Sequence, residues 1–449
     1  MKKHIAMLCA VLLTALAAFA PGAAAVGPAL TATEAYCIID ADTGLVLAQQ
    51  NMNEELHPAS ITKVMTLGLA CEKAQGKWDN VKLTVSHEDV YSLAGTDSSH
   101  IALQEGEEVP LTDALYATMM ASANDGANLL AEYFGGGSIE GGVAAMNAQA
   151  KELGLEHTHF ANPHGLPNDD HYTTAHDLYR ITKEALSHEL FATICNTVKH
   201  TVPATNLSDE RTLSNTNGLI NPESPMYRGY YYEYAKGVKT GHTDAAGYCL
   251  ISTAEKDGVR LLCVVLGGKG TTRANGTTDF GSFSDTLSAY RWVFANYGWR
   301  DIVSASDLIC EVPVRYGRDS DSVTVRPAQS ISAVLPSADA GGAPQFEQQV
   351  TLYSERDGKP LEAPVKAGDE VGELTVSYDG TVYGTVKLVA AVDVAVSKGA
   401  YIGGHLRAFF TNPIVLVVLL LVVLAVIGYV LWLARRRKQL EAELSLIHI

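Results

Sequence analysis

The sequence is short of positive charge and lacks the motifs that mark two large hydrolase classes. Lysine and arginine number 33 against 50 aspartates and glutamates, a net charge of −17 over 449 residues. So acidic a chain repels a phosphate backbone, which argues against nucleic acid as a partner. Neither H-E-x-x-H nor G-x-S-x-G occurs, so zinc-peptidase and α/β-hydrolase readings lack their motifs. Internal repeats are absent. No metal or other cofactor is expected. Cysteine is scarce, at seven. Cys37, Cys249 and Cys263 each sit inside an apolar, strand-like run, as small buried hydrophobes do, so mostly free thiols are expected.

Two long stretches are also poor in charge. Residues 1–25 have a basic start, an apolar stretch and the small residues Ala23, Ala24 and Ala25, which reads as a secretory signal peptide. Residues 413–434, "PIVLVVLLLVVLAVIGYVLWLA", contain no charge. As a helix they span roughly 33 Å, enough for a bilayer. Arg435, Arg436, Arg437 and Lys438 follow at once, which puts that end inside the cell. The reading is a single-pass protein of a bacterial cell membrane with its globular part outside the cytoplasm. Residues 435–449 form the cytoplasmic tail. The last six, 444–449, look like the translation of a sequencing adapter.

The exported part has two textures. "AYCIIDADTGLVLAQQN" reads as two strands joined at a turn. Residues 111–155 carry helical spacing, 233–268 turn to strands, and 284–298 close the unit as a helix. Helices against a mainly antiparallel sheet make an α+β domain, assigned to 26–299. Residues 300–393 break into short alternating runs such as "DSVTVRP" and "VGELTVSY", a small all-β domain with no cluster of Cys, His or paired carboxylates. Residues 394–412 connect it to the membrane helix.

Three short patterns carry chemistry. Ser60 and Lys63 form S-x-x-K at the start of an apolar helical run. Residues three apart on a helix share a face, so the hydroxyl and the amine meet. A desolvated lysine binds its proton weakly and can serve as a base for a neighbouring nucleophile. Ser122 and Asn124 form S-x-N at a helix boundary, and Lys239, Thr240 and Gly241 form K-T-G on a strand. Each pattern alone also suits caps, turns or an edge strand. Their order and element types are a known set of penicillin-interacting enzymes.

With these motifs, and with "DSSHIALQEGEEV", "ANPHGLPNDDHYTTAHDLYRI" and "SNTNGL" between them, the chain resembles the serine-type D-alanyl-D-alanine carboxypeptidases, the low-molecular-weight penicillin-binding proteins. The resemblance implies a β-lactamase/transpeptidase-like catalytic domain followed by the family's β domain. It implies that Ser60 attacks the carbonyl between two D-alanines of a peptidoglycan stem peptide, with Lys63 as base and Ser122 relaying a proton. Asn124 would orient Lys63 and the substrate amide. Lys239 and Thr240 would hold the terminal carboxylate, and Gly241 would admit the substrate backbone. The N–H groups of Ser60 and His242 would form the oxyanion hole. β-Lactams would acylate the same serine. Arg273 stays outside this set because its register is uncertain, and His164 reads as structural. Alternatives are a D,D-endopeptidase, a β-lactamase of the same fold, or a non-catalytic penicillin- or wall-binding protein.

Overall fold

The computed structural model describes residues 27–28, 30–337, 345–378 and 380–446. The expected signal peptide, residues 1–25, and the last three residues lie outside them. The chain forms two compact units.

The first unit is built on one antiparallel sheet. Its strands are β1 (Ala35–Asp40), β2 (Val46–Gln50), β3 (Ala235–Thr243), β4 (Gly247–Lys256) and β5 (Val259–Gly268), in the order β2-β1-β5-β4-β3. Side chains alternate between faces along a strand. In β5, Leu262, Val264 and Leu266 join one core cluster, while Leu261, Cys263 and Val265 join another. A strand buried on both faces must read as a continuous apolar run, and "VRLLCVVLGG" does.

The helices that cover the first face include α1 (Lys63–Ala74), α2 (Leu111–Met120), α3 (Asn124–Phe134), α4 (Ile139–Glu152) and α5 (Ala175–Leu186). Ile61, Val64 and Leu67 are fully buried in the same core cluster as Ile39 and Val264 of the sheet. Burying each such side chain is worth about 1.5–3 kcal/mol. The second face takes α6 (Gly281–Asn296) through Ala289, Tyr290 and Val293. That helix starts three residues before its expected first residue, and Tyr297 and Gly298 are already extended.

The second unit holds a six-stranded sheet. Its strands are β6 (Cys310–Arg315), β7 (Ser322–Pro327), β8 (Glu347–Leu352), β9 (Leu361–Glu362), β10 (Glu370–Tyr378) and β11 (Thr381–Ala390), ordered β8-β10-β11-β7-β6-β9. Only β6 and β9 pair in parallel. Val312, Val323, Val325, Leu374, Val376 and Leu388 form its core at alternating positions.

The connector expected at 394–412 contains a helix, α7 (Lys398–Thr411). It leads into α8 (Pro413–Leu446), of which Pro413–Glu441 is long and apolar enough to cross a membrane. All six described cysteines are free thiols.

Candidate active site

β3 is the edge strand of its sheet, and it runs beside the short helical turn Ala59–Thr62 that opens α1. The approach is close. A Cβ on Gly241 would lie 3.1 Å from the backbone nitrogens of Ser60 and Ile61 and 3.2 Å from the carbonyl of Pro58. A side chain there would push strand and turn apart. From the other side Gly165, at φ +90°, packs so tightly that a Cβ would collide with the carbonyl of Ala59. Ala59 itself is left-handed, at φ 49°. Ser60 is thus held in a turn clamped between two glycines. It is not the helix cap, and Lys63 begins α1 proper.

Lys63 is fully buried. Its Nζ lies 2.8 Å from Ser60 Oγ and 2.8 Å from the carbonyl oxygen of His164. Burial, and then the nearby charge of Lys239, hold this amine well below the ordinary lysine range, while Asp125 opposes the shift. His164 contributes its backbone carbonyl. Its ring is pushed down to about 3 by burial and then by Lys63, so it is neutral at physiological pH. Beneath the turn, buried His171 shares a 2.8 Å hydrogen bond with Thr62 Oγ1 and accepts one from the Ala161 N–H on Nδ1.

Ser122 sits between α2 and α3 in the left-handed region, at φ 58°. A non-glycine residue there is uncommon and frequent at functional positions. Its Oγ accepts a 3.0 Å hydrogen bond from Lys239 Nζ, which also donates to the Thr240 carbonyl at 2.9 Å. Lys239 is brought down to about 7 by burial. Thr240 Oγ1 lies 2.8 Å from Thr216 Oγ1. The site therefore holds two Ser–Lys pairs, Ser60–Lys63 and Ser122–Lys239.

The remaining candidates divide. Asn124 begins α3, and its N–H donates to the Ser99 carbonyl at 2.8 Å. Its Oδ1 is buried with no hydrogen-bond partner among the described residues, so the contact to Lys63 that the motif suggests does not involve this oxygen. His242 follows Gly241 on β3. Its exposed ring stacks on Tyr248 with centroids 4.1 Å apart. A groove of about 850 Å³ lined by His57, Tyr172, His242, Asp244 and Tyr248 opens beside it. Arg273 is half-exposed on a hairpin and pairs with Asp279 at 2.7 Å. Thr216, Asp125 and His171 belong to the surroundings of the motifs but were not singled out from the sequence. Asp125 offered one signal, an acidic residue in the first turn of a helix directly after S-x-N.

The chain that carries this arrangement matches a known family. A family model for D-alanyl-D-alanine carboxypeptidase matches residues 22–270. The chain belongs to the D-alanyl-D-alanine carboxypeptidase family. A second model, the C-terminal domain of penicillin-binding protein 5, matches residues 297–396 and so accounts for the β domain of this carboxypeptidase-family chain. The D-alanyl-D-alanine carboxypeptidase DacF of Bacillus subtilis is 30% identical over 360 residues, 80% of this chain and 84% of that protein. DacA of Escherichia coli is 28% identical over 354 residues, 77% of this chain and 80% of that one. Among solved structures, penicillin-binding protein 5 from Haemophilus influenzae superposes with a TM-score of 0.57 at 26% identity, covering 82% of this chain and 99% of that one.

Proposed function

We propose that this chain is a serine D-alanyl-D-alanine carboxypeptidase that removes the terminal D-alanine of peptidoglycan stem peptides through an acyl-enzyme on Ser60. The observation that carries the reading is Ser60 Oγ lying 2.8 Å from the amine of a fully buried lysine. Neutral Lys63 takes the hydroxyl proton as Ser60 Oγ bonds to the carbonyl carbon. The oxyanion faces the N–H groups at the opening of α1 and on β3. The C–N bond then breaks, and the leaving amine collects a proton through Ser122, which Lys239 hydrogen-bonds. Water hydrolyses the ester and frees the shortened peptide. A β-lactam enters the same way, but its leaving nitrogen stays tethered.

Lys239 and Thr240 would bind the free terminal carboxylate, which separates a carboxypeptidase from an endopeptidase. The full-length protein in detergent should release D-alanine from a peptide ending in D-Ala-D-Ala. Charge-assisted hydrogen bonds are each worth about 1.5–3 kcal/mol, so amidating that terminus should slow release on the order of 10²-fold. Burial depresses Lys239, so in the empty enzyme its ammonium is present below about pH 7 and lost above it. The discrimination should shrink as pH rises through that value. Equal rates on acid and amide at pH 6 would refute the carboxylate role.

The apolar stretch of α8 fits a membrane anchor. With Arg435 to Lys438 behind it, we place the catalytic domain outside the cytoplasm. Ending the chain before Pro413 should release active enzyme from the membrane. Retention of that form in high salt would count against α8 as the main anchor.

A further inference from the structure

Asp125 is 3% exposed and lies in the first turn of α3. A buried carboxylate needs donors, and among the described residues its hydrogen-bond donors are all backbone amides. Leu103 N–H donates to Oδ2 at 3.0 Å, and Ile101 N–H approaches Oδ2 at 3.2 Å and Oδ1 at 3.3 Å. The N–H of Gly126 donates to Oδ1 at 2.9 Å. Two of these amides belong to the 99–103 loop, more than twenty residues upstream. The preceding residue, Asn124, ties to the same loop through the Ser99 carbonyl. One carboxylate therefore fastens a loop to the helix start that carries the S-x-N motif. Its charge also reaches the site, since it favours the ammonium of Lys63 against burial and against Lys239.

We infer that Asp125 is a positioning residue of the reaction: its buried carboxylate keeps the 99–103 loop in register with the turn that carries Ser122 and Asn124, and sets a negative charge beside the buried amine of Lys63. The inference rests on the function proposed above. The titratable groups that feel it are Lys63 on α1 and Asp89 on the short helix His87–Tyr91, with His100 on the same loop and Glu132 further along α3. Asp89 is itself raised to about 7, first by burial, and feels both Glu132 and Asp125. Asparagine at 125 removes that like charge and lowers Asp89 as well, so every variant is also measured in an Asp89→Asn background, where only the Lys63 limb is left to move.

The test is the second-order rate of Ser60 acylation by penicillin from pH 5 to 10, on full-length wild type, Asp125→Asn and Asp125→Glu in detergent. Asparagine removes the charge at constant shape and sets an NH₂ group against the loop amides. Without the carboxylate, Lys63 gives up its proton more easily. The acid limb should then move down by about 0.5–1 pH unit. The plateau should fall on the order of 10-fold, because the base is weaker and the loop looser. Glutamate keeps the charge but displaces the loop, so its limb should stay within about 0.2 unit while its plateau falls. An asparagine profile that keeps the wild-type limb overturns the inference, and so does a limb that moves as far in Asp125→Glu. If Asp125→Asn does not fold, Asp125→Glu decides alone: an unmoved limb supports the role and a displaced one overturns it. A wild type that is not acylated on Ser60 would instead sink the proposed function.

Discussion

Ser60→Ala should leave a folded protein that penicillin no longer labels and that releases D-alanine on the order of 10⁴-fold more slowly, or not measurably. The site holds two serines, each beside a buried lysine, so the assignment between them needs argument. Each Oγ accepts from its lysine, but Ser122 is only 7% exposed. Ser60 is more exposed and sits at the mouth of α1, where the first N–H groups of a helix have no intrahelical partner and can receive an oxyanion. Ser60 also faces the lysine that two causes depress, burial and then a second lysine, whereas burial alone depresses Lys239. Removing Oγ leaves Lys63 its contact with the His164 carbonyl, so the melting temperature should move by only a few degrees, about 1 kcal/mol or less. Mass spectrometry after penicillin should find the wild-type adduct on the peptide containing Ser60. An adduct that survives in Ser60→Ala, above all on the peptide containing Ser122, would overturn the assignment.

What the sequence disclosed depends on which atoms make each contact. Ser60 with Lys63, and Lys239 with Thr240 and Gly241, were legible because helix and strand geometry bring near neighbours together. The meeting of Lys239 with Ser122 was legible only through the order of the motifs, since 117 residues separate the two. The backbone contacts were not legible at all. His164 accepts from Lys63 through its carbonyl, which any residue type offers, and Asp125 binds the amides of Ile101 and Leu103, which nearly any residue offers. Gly165 gave a weak sign, since a glycine in a loop has many reasons to be there, and here the reason is contact with Ala59. In the fold, β5 and α1 were legible from long apolar periods, but β9 has two residues, too few for any period. The helix α7 contains Gly399, Gly403 and Gly404, which lower helix propensity and made the segment read as a plain connector.

Lys63→Arg should abolish acylation while the protein still folds. Wild-type Lys63 is fully buried, touches Ser60 Oγ, and is held well below the ordinary lysine range, so its neutral form is available to accept the serine proton. A guanidinium keeps the positive charge but does not deprotonate in a protein. General-base catalysis is typically worth about 10²–10⁴-fold, so the penicillin acylation rate should fall by at least that range, with no recovery up to pH 10. Arginine is larger than lysine and overfills a packed site, so Lys63→Met provides a second variant of similar volume, uncharged and without a base. It should be equally inactive but more stable than wild type at pH 7. The sign follows from linkage. Unfolded lysine holds its proton up to about pH 10.4, and the folded lysine releases it lower, so the wild-type residue costs stability at pH 7, a cost that shrinks as pH rises toward 10.4. The advantage of Lys63→Met in melting temperature should therefore grow as pH falls from about 10.4 toward neutrality and vanish in alkali. Near-normal acylation by folded Lys63→Arg would reject the base role and leave Lys63 as a fixed charge. An advantage of Lys63→Met that does not change with pH would show that the buried amine is protonated in the folded enzyme.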